Sequence, residues 1–237
     1  MTEVMKQDAW LELERQIVEC TACPRLRQHC LEVARTRRRQ FRDWEYWGRP
    51  VPGFGDPEAE LLIIGLAPAA HGANRTGRMF TGDDSGNWLY EALYRYGWAS
   101  QPRAVSRDDG LVLRGAYITA AARCAPPQNK PTPEELRACR PFLVRELQLL
   151  RRVRLVLVLG RVALDAYLRA LRDLGHDPGR PAFGHGAFYP PPAPGLPALL
   201  CSYHPSRQNT QTRRLTREMW HEVFARARAY LDEGAGG

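Results

Sequence analysis

Near-continuous apolar runs decide what this chain can fold into: Leu61-Leu-Ile-Ile-Gly-Leu66, Tyr117-Ile-Thr-Ala-Ala-Ala122 and Leu155-Val-Leu-Val-Leu-Gly160. Strands without polar alternation are buried on both faces, which a sheet achieves when it is parallel and covered by helices on both sides. A fourth strand is expected at Leu199–Tyr203. Helical patterns lie between and around the strands. Ala9–Cys20 places Trp10, Leu13 and Ile17 on one face, and Asn87–Trp98 turns Leu89, Leu93 and Tyr96 inward, with Asp84 or Ser85 as its cap. Thr132-Pro-Glu-Glu135 is a capping box with proline at the first helical position. The helix it opens carries Leu136, Cys139, Leu143, Leu147 and Leu150 on one face and should bend at Pro141. Another helix spans about 162–174, and a last one presents Met219, Trp220, Val223, Phe224 and Tyr230. The Pro- and Gly-rich stretch Asp177–Pro197 reads as loop, and Glu233–Gly237 as a frayed tail.

This alternation predicts an α/β fold, a single domain over residues 1–237 with a mainly parallel sheet between two helical layers. Ligands of such sheets bind at the carboxyl ends of the strands. The segments there, Ala67–Gly86, Arg123–Asn129 and His204–Thr210, are polar or Gly-rich. The N-terminus has no apolar signal segment, and the longest apolar run, Leu61–Ala70, is too short to span a bilayer. The expectation is a cytoplasmic protein with no membrane partner.

Lys+Arg 34 against Asp+Glu 26 leaves a net charge of +8, and only Lys6 and Lys130 of the cations are lysine. Arginine suits bidentate phosphate contacts, so the excess fits nucleic acid, although it also fits a merely solubilising surface. The basic run Arg35, Arg37, Arg38, Arg39 and Arg42 leads into Trp44, Tyr46 and Trp47. That pattern admits a base-stacking surface, but a solvated face followed by core aromatics is the commoner meaning. Six cysteines in an intracellular chain point to metal or redox chemistry before disulfides. Cys20 and Cys23 form a C-x2-C pair, and Cys124 and Cys139 can converge beneath it. Four thiolates suit either structural zinc or a [4Fe–4S] cluster; the loose second pair tilts toward the cluster. Cys30 and Cys201 look like spares.

The loop Gly65-Leu-Ala-Pro-Ala-Ala-His-Gly-Ala-Asn-Arg-Thr-Gly-Arg-Met-Phe-Thr-Gly-Asp-Asp-Ser-Gly86 resembles the first active-site motif of the uracil-DNA glycosylase superfamily, and His204-Pro-Ser-Arg-Gln-Asn-Thr-Gln211 resembles its second. With the four cysteines and Arg123-Cys-Ala-Pro-Pro-Gln-Asn-Lys-Pro-Thr-Pro-Glu-Glu135, the resemblance is to the family-5, or type b, iron–sulfur enzymes. The resemblance implies a three-layer α/β/α fold around a four-stranded parallel sheet and a structural [4Fe–4S] cluster. It also implies a monomeric enzyme that flips uracil, or other deaminated bases, out of DNA. Family members of the best-known kind carry a carboxylate or amide where Ala67 stands; type b enzymes share the gap. Arg213 stands where glycine is expected.

Cleaving a base from its sugar leaves negative charge on the base and positive charge on the sugar, and needs a placed water. By residue type and resemblance, His204 donates to the departing uracil, Phe80 stacks on it, and the Leu66 backbone supplies a further donor. Asn129 reads uracil O4 and N3–H through one amide, with a polarity opposite to that of cytosine. Asp83 orients water, with Asp84 next in line, and Arg207 and Gln208 grip phosphate or enter the duplex. Each has a plainer alternative: core histidine, core phenylalanine, turn asparagine, cap carboxylate, solvated loop. Nucleotide-binding enzymes are disfavoured because neither glycine-rich phosphate motif is present, and zinc deaminases because no histidine has Glu two residues on. A non-catalytic iron–sulfur DNA-binding protein of the same fold is the remaining alternative.

Overall fold

A computed structural model describes residues 3–233 of the chain. Its sheet contains β1 (Phe54–Gly55), β2 (Leu61–Gly65), β3 (Ala116–Ala120), β4 (Leu155–Leu159), β5 (Phe188–Tyr189) and β6 (Ala198–Ser202). The order is β1-β3-β2-β4-β6-β5, with the inner four strands parallel and the two edges antiparallel. Every residue of the four inner strands is buried, as their unbroken apolar composition requires. The four-stranded expectation therefore describes the parallel centre, and two short edge strands extend it. β5 lies inside the stretch expected to be loop, because two residues are too few to display any period.

Side chains of successive strand residues point to opposite faces. Leu61, Ile63, Ile118, Leu157 and Leu200 face Leu89, Leu93, Trp220 and Phe224, contributed by α4 (Asp84–Arg95) and α8 (Arg217–Glu233). Leu62, Ile64, Val156, Val158 and Cys201 face Leu143, Leu164 and Leu171, contributed by α5 (Pro133–Leu149) and α6 (Arg161–Asp173). These are the three layers. α1 (Glu3–Val18) packs Leu13 and Ile17 on Leu149 of α5. No helix among the described residues is long and apolar enough to cross a membrane.

Several local elements differ from the expectation or add to it. The helix expected from Asn87 begins at Asp84, and its cap is Asp83, which accepts from Gly86 N at 2.8 Å. α2 (Pro24–Thr36) was not legible, because only Leu26 and Cys30 of its residues are buried and its remaining surface is polar. The long first loop contains α3 (Ala73–Thr76), and His204-Pro-Ser leads into α7 (Arg207–Gln211) rather than open loop. The capping box at Thr132 is present as expected, and α5 runs on through Pro141. Of the expected tail, Glu233 closes α8, and residues 234–237 lie outside the described residues.

Beneath the carboxyl end of β3 sits a fully buried ion pair. Glu146 accepts from Arg123 Nη2 at 2.6 Å, from the Thr119 hydroxyl at 2.6 Å and from the Tyr117 hydroxyl at 3.3 Å. Burial and the neighbouring carboxylate push the Tyr117 phenol far above its ordinary range, so it remains a donor. The pair ties the segment after β3, which carries Cys124, to α5, which carries Cys139.

Candidate active site

The loops after β2 and β6 meet at the carboxyl end of the sheet, on the side where β2 and β4 run next to one another although β3 lies between them in sequence. Phe80 has a left-handed backbone, φ 53°, uncommon for a bulky residue. That conformation lays its ring over the end of β2. A Cβ on Gly65 would come within 2.9 Å of the ring, and one on Gly86 within 1.7 Å of the Phe80 carbonyl. Glycine is therefore required at Gly86, and at Gly65 any larger residue would push the ring aside. The Phe80 ring stacks on His204 with centroids 5.7 Å apart and planes 27° apart. That gap is below the roughly 7 Å that two layers of van der Waals contact need, so the rings form one platform and not two jaws.

His204 stands at the end of β6, and its imidazole has no hydrogen-bond partner among the described residues. Burial pushes it down to about 4, so at neutral pH it is uncharged with one N–H to donate. Its backbone is held firmly: Asn209 Nδ2 donates to the His204 carbonyl at 2.8 Å, and the Ser85 hydroxyl donates to the Pro205 carbonyl at 3.0 Å. Ser85 thus links the first motif to the second.

The cap bond orients one oxygen of Asp83, and the other lies against Gly72, where a Cβ would come within 1.9 Å of it. Burial, with Asp84 adding to it, raises the Asp83 carboxyl above its ordinary range, against the N–H groups of Gly86 and Ser85 and the charge of Arg75. Beside it His71 exchanges a hydrogen bond of 3.0 Å with the Tyr46 hydroxyl, and burial lowers its imidazole. Ala67 brings no titratable group to the end of β2, and the Leu66 carbonyl accepts from Ala122 N, fixing the end of β2 against the segment after β3. Asn129 is exposed on the turn after β3, with Gln128 and Asn129 both left-handed (φ 55° and 57°) and its amide unpaired with protein among the described residues. Arg207 and Gln208 are exposed on α7, where Arg207 pairs with Asp84 across the two motifs.

The aromatics after the basic run do not form a stacking surface. Phe41 and Trp44 close on Arg75, Tyr46 bonds His71, and Trp47 donates its indole N–H to Pro50 and covers Gly77. Sequence reasoning missed His71 and Arg75 and read Ser85 only as a helix cap, although all three lie inside the first motif; their role rests on partners that no spacing reveals.

The cysteines gather on the other side of this loop. Cys23 caps α2, and Cys23, Cys30 and Cys124 share a buried cluster with Leu26 and Ala125, against Ala70. Burial pushes Cys23 and Cys139 up to about 11, each helped by the charges of Cys124 and Cys20. The four thiols are therefore within electrostatic reach of one another. Among the described residues they do not close a metal-binding group, and the Cys124 thiol hydrogen-bonds to the free thiol of Cys30. Cys30 is thus a neighbour of the site and not a remote spare, whereas Cys201 belongs to the core on β6. One observation favours an anionic thiolate-bound group beside these cysteines. The Arg123 guanidinium, charged beside Cys139, is 1% exposed, and its Nε and Nη1 have no partner among the described residues. Arg25 bonds Glu135 through two nitrogens at 2.8 and 2.7 Å, which joins the start of α2 to the start of α5.

A family model described as the uracil DNA glycosylase superfamily matches residues 52–228. A Thermus thermophilus protein named Type-5 uracil-DNA glycosylase is 56% identical over 90% of this chain and 94% of its own length. The chain belongs to this superfamily, in its type-5 branch. A Mycobacterium bovis protein of the same name is 49% identical over 92% of this chain and 80% of its own length. A Pyrobaculum aerophilum protein named Type-4 uracil-DNA glycosylase is 32% identical over 68% of this chain and 74% of its own length. The matched region contains both motifs and the Cys124 and Cys139 thiols; Cys20 and Cys23 precede it.

Proposed function

We propose that this chain hydrolyses the bond between uracil, or another deaminated base, and deoxyribose in DNA, leaving an abasic site. The observation that carries the reading is the stack of Phe80 on His204, because it joins the two motifs at the carboxyl end of the sheet. A flipped uracil is held at this platform, where Phe80 offers an aromatic ring and His204 an N–H. The uncharged imidazole donates to the carbonyl that gains charge as the bond breaks, and donation without prior protonation keeps that donor available at neutral pH. The Leu66 backbone is the second donor. Asn129 accepts from N3–H and donates to O4, from a left-handed backbone that asparagine adopts readily.

Asp83 holds the water and faces the sugar cation. Its cap bond leaves room for both roles, because a carboxylate has about four acceptor positions, and the Gly86 N–H occupies one while favouring the ionised form. Arg207 and Gln208 meet the DNA backbone; the exposed pair with Asp84 is weak enough for a phosphate to displace it. Cys20, Cys23, Cys124 and Cys139 would hold a [4Fe–4S] cluster, which supplies a cross-link between the N-terminal helices and the sheet. All these side chains come from one copy of the chain, so the working unit in this reading is a monomer.

The test is a duplex with one U·G pair, incubated with the protein and then treated with alkali. Strand scission at the uracil is expected from the wild type, and intact strands would leave the non-catalytic DNA-binding reading in its place. Anaerobically purified protein should be brown with about four irons per chain. Stoichiometric zinc without iron would refute the cluster.

A further inference from the structure

We infer that Arg75 is the positioning residue of this site: its guanidinium staples together the two backbone segments that hold the Asp83 carboxylate and serves as that carboxylate's counter-charge. The inference rests on the reading of Asp83 as the water-holding group. Arg75 Nε donates to the His71 carbonyl at 2.9 Å, and Nη2 donates to the Gly82 carbonyl at 2.9 Å. His71 precedes Gly72, whose backbone lies against one oxygen of Asp83, and Gly82 precedes Asp83 itself. One planar fork therefore sets the distance between the two walls of the carboxylate.

The fork is itself fixed. Its central carbon lies 3.9 Å from the Phe41 ring centroid and 4.1 Å from that of Trp44, in the corner the two rings make at 76° to each other. Arg75 is 3% exposed, and its Nη1 has no partner among the described residues. Leaving a buried donor unsatisfied is costly, so a cation that only filled space here would be a poor choice beside an apolar side chain. The Asp83 carboxylate is the reason to keep it: it favours the ionised guanidinium against burial.

Around Asp83 the influences are mixed in sign. Burial is the largest and disfavours its ionisation, with Asp84 adding to it; the N–H groups of Gly86 and Ser85 favour it, and Arg75 brings the cationic charge. The Tyr90 phenol, also close enough to sense Asp83, is held up by burial and stays neutral. Phe41 and Trp44, at the end of the basic run, thus act as a clamp on the first motif through Arg75.

Two substitutions separate charge from staple. Arg75→Met removes both; Arg75→Lys keeps the charge but cannot bridge two carbonyls with a planar fork. The Asp83 carboxyl is followed by carbon-13 NMR in iron-loaded protein, and single-turnover cleavage of U·G duplex is measured across pH. In Arg75→Met the Asp83 titration should move to higher pH, the acid limb of cleavage should follow it, and the rate near neutral pH should fall on the order of 10²-fold. In Arg75→Lys the titration should stay close to wild type while part of the rate is lost. An unchanged Asp83 titration in folded Arg75→Met protein overturns the inference, whatever the rate does. Should Arg75→Met not fold, wild-type cleavage by Arg75→Lys overturns it, and a wild-type titration with a reduced rate supports it. Full cleavage by Asp83→Asn, alongside a moved titration in Arg75→Met, would remove Asp83 from the reaction and leave Arg75 as its counter-charge.

Discussion

Replacing His204 with alanine isolates the donor to the departing base. The imidazole is held by its backbone and by the Phe80 stack, with no side-chain hydrogen bond to protein among the described residues, so truncation breaks no internal network. What is lost is one pre-aimed N–H in a desolvated site, typically about 2.7–4 kcal/mol of transition-state stabilisation, or 10²–10³-fold in single-turnover rate. Duplex binding should be nearly unchanged. The acid behaviour adds a second readout. Burial lowers the folded histidine to about 4 from an ordinary value near 6.5, so the unfolded chain binds the proton more readily between these values. Its contribution to stability is complete above about 6.5 and is lost as pH falls through about 4. In catalysis, therefore, no histidine limb should appear near pH 6.5, and any acid limb should belong to Asp83 and survive in His204→Ala. Single-turnover rates of both proteins between about pH 4.5 and about pH 8 provide the check. A limb centred near 6.5 in the wild type that disappears in His204→Ala would refute the uncharged-donor reasoning.

Gly65→Ala should force the Phe80 ring aside, since the new Cβ would sit 2.9 Å from it, and should lower single-turnover cleavage by roughly 10²-fold with iron content intact. Wild-type cleavage would show that the platform tolerates displacement. Glu146→Leu strands a buried guanidinium and should destabilise the fold by about 3–5 kcal/mol in urea unfolding. The double replacement with Arg123→Met should recover most of that loss, and a double variant no better than the single one would argue against the pair. Arg207→Ala should weaken binding to damaged and undamaged duplex alike and flatten the dependence of log affinity on log salt by about one unit. A loss confined to damaged DNA would place Arg207 in the vacated stack instead.

The residues themselves determined the layered α/β architecture, since Leu61–Gly65 and Leu155–Leu159 have no polar position to turn toward water and must be covered on both faces. The Thr132 capping box was equally local, because both partners lie within one turn. Phe80, Asp83 and His204 were legible by motif, as types suited to stacking, water and donation. Only the tertiary structure decided how they act. Asp83 caps its helix instead of Asp84 or Ser85 because the backbone at Gly82 turns left-handed, φ 80°, just before it. The stack on His204 requires two glycines and a strained Phe80, set by the approach of β2's end to the loop. Arg75, Phe41 and Trp44 come from segments thirty-odd residues apart and meet only when α3 is folded over the sheet. Local signals record the period of a strand or the reach of a cap; a buried guanidinium between two rings is specified by nothing nearer than the packing itself.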